Sequence, residues 1–205
     1  MLKKQEEPTL AKTLSADNIL TAEFSYARET AGQAMEDRHR MVNYYLVIVG
    51  LTINAVVGLL RSGEEALIFF NEFEQKGMIV FLLCALYLIG VLYLNKLIRL
   101  RWAWYGSAAV MNRIKDYYDA QLPEYHLKDR AFSWTTETLK EMNPARSNTV
   151  FFGSALVIIA INAMSISGAF YVVMHNVMIS IAALLIFIVL EIRFYQIKLS
   201  RKQSV

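Results

Sequence analysis

From Ser147 to Leu190 the chain runs 44 residues without an acidic or basic side chain. As one helix that run would measure roughly 66 Å, about twice the hydrocarbon thickness of a bilayer. It must therefore fold back on itself, and Met174, His175 and Asn176 are the least apolar place for the turn. Two shorter uncharged runs, Met41–Leu60 and Gly77–Asn95, each match a single crossing. The pattern predicts four spans, near 41–61, 77–97, 150–172 and 177–196. The fold expected is all-α: an integral membrane four-helix bundle with helical extensions. With 56% hydrophobic and 19% charged residues, the composition excludes an ordinary water-soluble domain.

Orientation follows from lysine and arginine, which resist translocation and collect on the cytoplasmic side. Six precede the first span, nine lie between Lys96 and Arg146, and four follow Leu190, against only Arg61 and Lys76 in the first connection. Both termini and the middle segment are expected in the cytoplasm. The chain divides into a cytoplasmic amphipathic helix (1–40), a first transmembrane hairpin (41–97), a cytoplasmic helical segment (98–146), a second hairpin (147–196) and a tail (197–205). The first span is read as an uncleaved insertion signal, because 40 largely polar residues precede it. The expected location is a bacterial inner membrane.

Leu20, Phe24, Ala27, Ala31, Ala34 and Met35 recur at helical steps, so a helix capped at Ser15 or Asp17 is expected to run unbroken into the first span. A matching stripe, Leu97, Leu100, Trp104, Met111, Ile114 and Tyr118, leads out of the second span as far as Pro123. The two helices are expected to pair as a stalk. A third helix is expected over 129–142 with Trp134 and Leu139 inward. Ala66 to Phe73 reads as an interfacial helix in the outer headgroup region. These pieces are too divided to form a separate enzyme domain, which usually needs about 100 residues.

Gly50, Asn54 and Gly58 recur every four residues, bringing two small residues and an amide onto one face. Asn162 and Ser165, with Ala169, do the same in the third span. Such faces serve intramolecular helix packing or, in an oligomer, line a narrow polar path. Ile53-Asn54-Ala55 is echoed by Ile161-Asn162-Ala163, which duplication or chance can produce. Glu191 and Arg193 are expected at the interface, leaving no charge within the spans and little basis for ion-coupled transport. Arg99, Arg101 and Trp102 read as interfacial anchors, part of a basic and aromatic collar with Lys96, Trp104 and Tyr105. Trp104, Asn112, Arg113 and Tyr118 are candidates for docking a cytosolic partner.

Glu36, Asp37 and His39 point around their helix, and Glu36 with Arg40 forms an ordinary i, i+4 ion pair. No phosphate loop, nucleophile elbow or HExxH occurs. No enzyme activity, cofactor or metal is expected. A single cysteine, Cys84, precludes an intramolecular disulfide, and a net charge of +3 from 21 basic and 18 acidic residues does not suggest nucleic acid as a partner.

Glu23-Phe24-Ser25-Tyr26-Ala27-Arg28-Glu29, Arg38-His39-Arg40, and Trp104-Tyr105 through Met111-Asn112-Arg113-Ile114-Lys115-Asp116-Tyr117-Tyr118 together resemble uncharacterised bacterial four-span membrane proteins. Some proteins of that look accompany nucleotide-sensing or other antiviral defence systems as membrane-injuring effectors. The resemblance implies a membrane-injuring effector triggered by a separate partner. The polar, small-residue faces with the absence of catalytic motifs point to an oligomer that forms a pore or perturbs the membrane under control of its cytoplasmic helices. The alternative is a non-conducting scaffold that recruits a cytosolic enzyme or sensor. The partners expected are membrane lipids, further copies of the chain and a cytosolic protein.

Overall fold

A computed structural model describes residues 16–61, 72–130, 132, 134–141 and 149–200. All regular structure among them is helical. Helix α1 is Ala16–Arg61 and α2 is Glu72–Gln121. After a 3-10 turn at Pro123–Tyr125 come the short α3 (Leu127–Arg130) and α4 (Thr136–Glu141), then α5 (Val150–Met174) and α6 (Val177–Ser200). Four of these, α1, α2, α5 and α6, are long and apolar enough to cross a membrane. With 46 and 50 residues, α1 and α2 are each more than twice the length of about 20 residues that a crossing requires.

The chain forms two compact units. The first comprises Met1–Gln33 and Trp104–Glu141. Within it, Ala27 and Ala31 of α1 are buried and Leu20 and Phe24 half-buried, the stripe that the sequence spacing marks. From α2, Ala108, Asn112 and Ile114 are buried, and the Tyr118 hydroxyl donates to Asp17 Oδ1 at 3.4 Å. Asp17 lies inside the first turn of α1, favourably placed for the helix dipole, while Ser15 lies outside the described residues.

The single helix expected over 129–142 is instead two short helices. Phe132 N–H closes α3 on the Leu127 carbonyl at 3.1 Å. Thr135 Oγ1 then accepts from Thr138 N–H at 3.3 Å, and Thr138 Oγ1 accepts from Thr135 N–H at 2.9 Å. This reciprocal capping arrangement starts a new helix and competes with continuation of the old one. Leu139 is buried, but Trp134 is 41% exposed, with its ring edge-on to Trp104 at 6.2 Å. Lys128 bonds Glu137 at 2.7 Å across the break, which raises the lysine above its ordinary range.

The second unit comprises Ala34–Ala103 and Met142–Val205. Its α5 and α6 form a hairpin turned by His175 and Asn176. His175 adopts a left-handed conformation (φ 50°, ψ 27°), and its N–H returns to the Tyr171 carbonyl at 2.9 Å. Asn176 Oδ1 accepts from the N–H groups of Met178 and Ile179 at 2.9 and 3.2 Å, capping α6. Ser167 Oγ donates to the Ser180 carbonyl at 2.7 Å and ties the two helices together beyond the turn. The proposed interfacial helix at 66–73 falls mostly on residues outside those described; Phe73 itself belongs to the exposed first turn of α2.

The two turn residues make opposite demands. Asn176→Ala should lower stability by about 1 kcal/mol through loss of the cap. His175→Gly should hold or raise it, because glycine adopts positive φ without the Cβ penalty. Thermal unfolding in detergent measures both. A midpoint unchanged by Asn176→Ala and lowered by His175→Gly would contradict this description of the turn.

Candidate functional site

Each of the four long helices sends one residue to a single point inside the second unit. From α1 comes Tyr45 and from α5 Asn162, both fully buried; α6 supplies Glu191, 6% exposed; α2 supplies the buried Gly90. The Tyr45 hydroxyl donates to Asn162 Oδ1 at 2.9 Å. Asn162 Nδ2 donates to both Glu191 oxygens, at 3.1 and 3.2 Å. The amide is thus used at both ends, as a polar group enclosed among apolar helices requires. Tyr93 flanks Tyr45 with ring centroids 5.3 Å apart.

Gly90 makes the arrangement sterically possible. A Cβ at that position would fall on the Asn162 side-chain amide, so the α2 backbone itself forms the wall against which the amide lies. Small residues serve this purpose between membrane helices, where close approach supplies the packing energy. Neither Gly90 nor Tyr45 stands out in the sequence. Gly90 sits in a leucine-rich run, and Tyr45 is separated from its partner by 117 positions.

Glu191 was expected at the membrane interface; the structure corrects this by burying it in the bundle interior. The reason is the bidentate bond from Asn162, which gives the carboxyl group a partner that water would otherwise provide. An ionisable residue does therefore occupy the inner face of a spanning helix, and the general argument against ion-coupled transport from an absence of such groups no longer applies.

The two small and polar faces read from the sequence have different surroundings. Asn162 and Ser165 are buried, with Ser165 Oγ bonded to the Ile161 carbonyl at 2.8 Å. Asn54 and Gly58 are exposed on α1 and Gly50 is partly so, and the space where a Cβ would stand at either glycine is open. Asn54 has no side-chain hydrogen bond among the described residues. The echoed tripeptides 53–55 and 161–163 thus occupy dissimilar environments.

Arg101, read from the sequence as an interfacial anchor, turns inward. It is buried, donates from Nη1 to Thr149 Oγ1 at 2.6 Å, and lies over the Phe151 ring. Thr149 holds the N-cap of α5, accepting from Phe152 N–H at 3.3 Å, so the guanidinium contributes to positioning that helix. Arg99 is exposed and Trp102 half-buried. Among the docking candidates, Asn112 is occupied internally by the Thr135 carbonyl at 2.9 Å, Trp104 by Trp134 and Tyr118 by Asp17, whereas Arg113 is exposed. The Asn112 Nδ2 group is thus engaged within its own unit. Glu36 and Arg40 form their ion pair at 2.5 Å. Among the described residues no cluster of metal-ligating side chains occurs.

What the central group can do is hold four helices in register and respond when one of its bonds is lost. Asn162→Leu should cost about 1–3 kcal/mol, because it strands the Tyr45 hydroxyl and Glu191 together. Gly90→Ala should cost a similar amount through overpacking. Glu191→Gln, which retains an acceptor for Asn162, should change stability far less. Thermal unfolding of the three variants in one detergent tests this order; an Asn162→Leu protein as stable as the parent would refute it. No protein-family model matches the chain, and neither a curated protein nor a solved structure matches it significantly.

Proposed function

We propose that this chain is a membrane protein that assembles into an oligomer and alters membrane permeability under the control of its helical extension. The observation that carries the reading is Asn54. Its amide stands on the outer surface of an apolar helix, flanked one turn away on each side by Gly50 and Gly58. Only 11% of the most apolar stretch of α1 is buried, against 33% for α5, so α1 has the most surface to offer a partner. An amide facing hydrocarbon is costly unless it finds another polar group or water. A second copy, or a wet path between several copies, supplies both.

In this reading α1 helices of neighbouring subunits meet through the glycines, and Asn54 faces the path between them. The interior of each subunit is closed by Tyr45, Asn162 and Glu191 and conducts nothing. The first unit, on the cytoplasmic side by the distribution of lysine and arginine, receives the signal. The resemblance to bacterial four-span membrane proteins, some of which accompany antiviral systems, supports an inner-membrane location and a role in host-membrane injury.

A second reading, a scaffold for a cytosolic protein, draws support from a cavity of about 200 Å³ in the first unit, lined by Trp104, Ala108, Met111, Asn112, Lys115 and Trp134. The exposed Arg113 lies on the same helix.

Controlled expression with dye uptake and membrane potential as readouts separates the two. The pore reading expects Asn54→Leu to lower depolarisation by roughly tenfold, equivalent to about 1.4 kcal/mol of assembly energy, with the protein still folded and inserted. An intact potential in cells expressing the activated parent protein overturns it. Loss of function in Trp104→Ala, with Asn54→Leu fully active, favours the scaffold.

A further inference from the structure

We propose that Arg38 and Arg101 hold the phosphoryl group of an anionic phospholipid whose acyl chain lies in the groove between α1, α2 and α5. Two buried guanidinium groups share one aromatic ring: the Cζ atoms of Arg38 and Arg101 lie 5.1 and 5.7 Å from the Phe151 centroid. Arg38 is 2% exposed and Arg101 6%, yet neither forms a salt bridge among the described residues. Arg38 Nη2 donates to His39 Nε2 at 2.6 Å and Arg101 Nη1 to Thr149 at 2.6 Å. Among the described residues Arg38 Nε and Nη1 and Arg101 Nε have no hydrogen-bond partner, and the Tyr195 hydroxyl, which interacts with Arg101, carries no charge to neutralise it.

The buried acid of this unit, Glu191, bonds to Asn162 and does not neutralise them. A cation–π contact compensates only part of the cost of removing a guanidinium from water. An anion with several acceptor oxygens fits the remaining donors, and arginine forks match phosphoryl geometry.

The position selects a lipid as the source. Arg38 precedes the uncharged run of α1, Arg101 follows that of α2, and Phe151 begins α5, which places the pair at headgroup level in a spanning bundle. Between about 16 and 28 Å farther along these helices, the same three helices form an apolar groove of about 220 Å³ with Val49, Ile53, Val57, Leu83, Leu86 and Met164 on its walls. A phosphate head with a chain reaching that far is the shape of a phospholipid. The reading depends on the bundle spanning a membrane but not on whether it conducts, so it stands or falls separately from the pore.

Native mass spectrometry of the purified full chain, exchanged into detergent with phosphatidylglycerol, phosphatidylcholine or inorganic phosphate, tests the proposal. The parent protein should retain phosphatidylglycerol in preference to phosphatidylcholine and show no retention of inorganic phosphate. Arg38→Gln and Arg101→Gln should each weaken that preference by about fivefold. Arg40→Gln, which removes an exposed arginine paired with Glu36, should leave it unchanged. Met164→Trp, which fills the exposed groove and keeps both guanidinium groups, should weaken retention of both lipids. Equal retention of the two lipids by the parent protein, loss of selectivity in Arg40→Gln alone, or retention of inorganic phosphate with no lipid preference would each overturn the proposal.

Discussion

An amide enclosed by four apolar helices must have its hydrogen-bonding groups met from within, because no water is there to meet them. Asn162 answers that constraint by taking a bond from Tyr45 and giving bonds to Glu191. Three helices are thereby fixed in register by side chains, and the fourth is fixed by the absence of one, since only glycine at position 90 leaves room for the amide. Van der Waals packing alone discriminates weakly among rotations of an apolar helix in lipid. A polar contact that can be satisfied in one rotation discriminates more sharply. The hairpin of α5 and α6, closed by His175 and Asn176, holds Asn162 and Glu191 in one local unit, and α1 and α2 complete the set.

The sequence shows the membrane-spanning helices clearly because their signal is additive. Runs such as Met41–Leu60 and Ser147–Leu190 sum over many residues, and the buried stripe through Ala27 and Ala31 repeats at one period. Contacts at single points carry no such redundancy. Gly90 is one glycine in a leucine-rich run, and Tyr45 and Asn162 are 117 positions apart. Identical tripeptides around Asn54 and Asn162 lie in opposite surroundings, so local sequence cannot distinguish the amide that packs inside from the one left outside. The break at 132–135 was hidden for another reason: Thr135 and Thr138 each fit a helix by position, and it is their reciprocal capping bonds that interrupt it.

Arg101 and Glu191 teach a related lesson. Both stand at the ends of apolar runs, where long polar side chains ordinarily reach for the headgroups. Both turn inward because a specific partner waits there: Thr149 and Phe151 for the arginine, Asn162 for the acid. Arg101 shares the continuous helix α2 with Gly90, and Phe151 shares α5 with the central amide. From Arg101 to Gly90, and from Phe151 to Asn162, is 11 residues of continuous helix, roughly 16 Å. The second unit thus has two polar layers on α2 and α5, one at the bundle centre and one near the end of the apolar runs.

The central proposal is a division of labour: the face bearing Asn162 and Ser165 binds the helices of one subunit together, and the face bearing Asn54 is proposed to meet another subunit. Disulfide trapping in native membranes tests it most directly. With Cys84→Ser as the background, Asn54→Cys and Ser165→Cys are introduced separately and oxidised without detergent. The account predicts covalent dimers through position 54 and none through position 165. Dimers through position 165 with none through position 54 would contradict it.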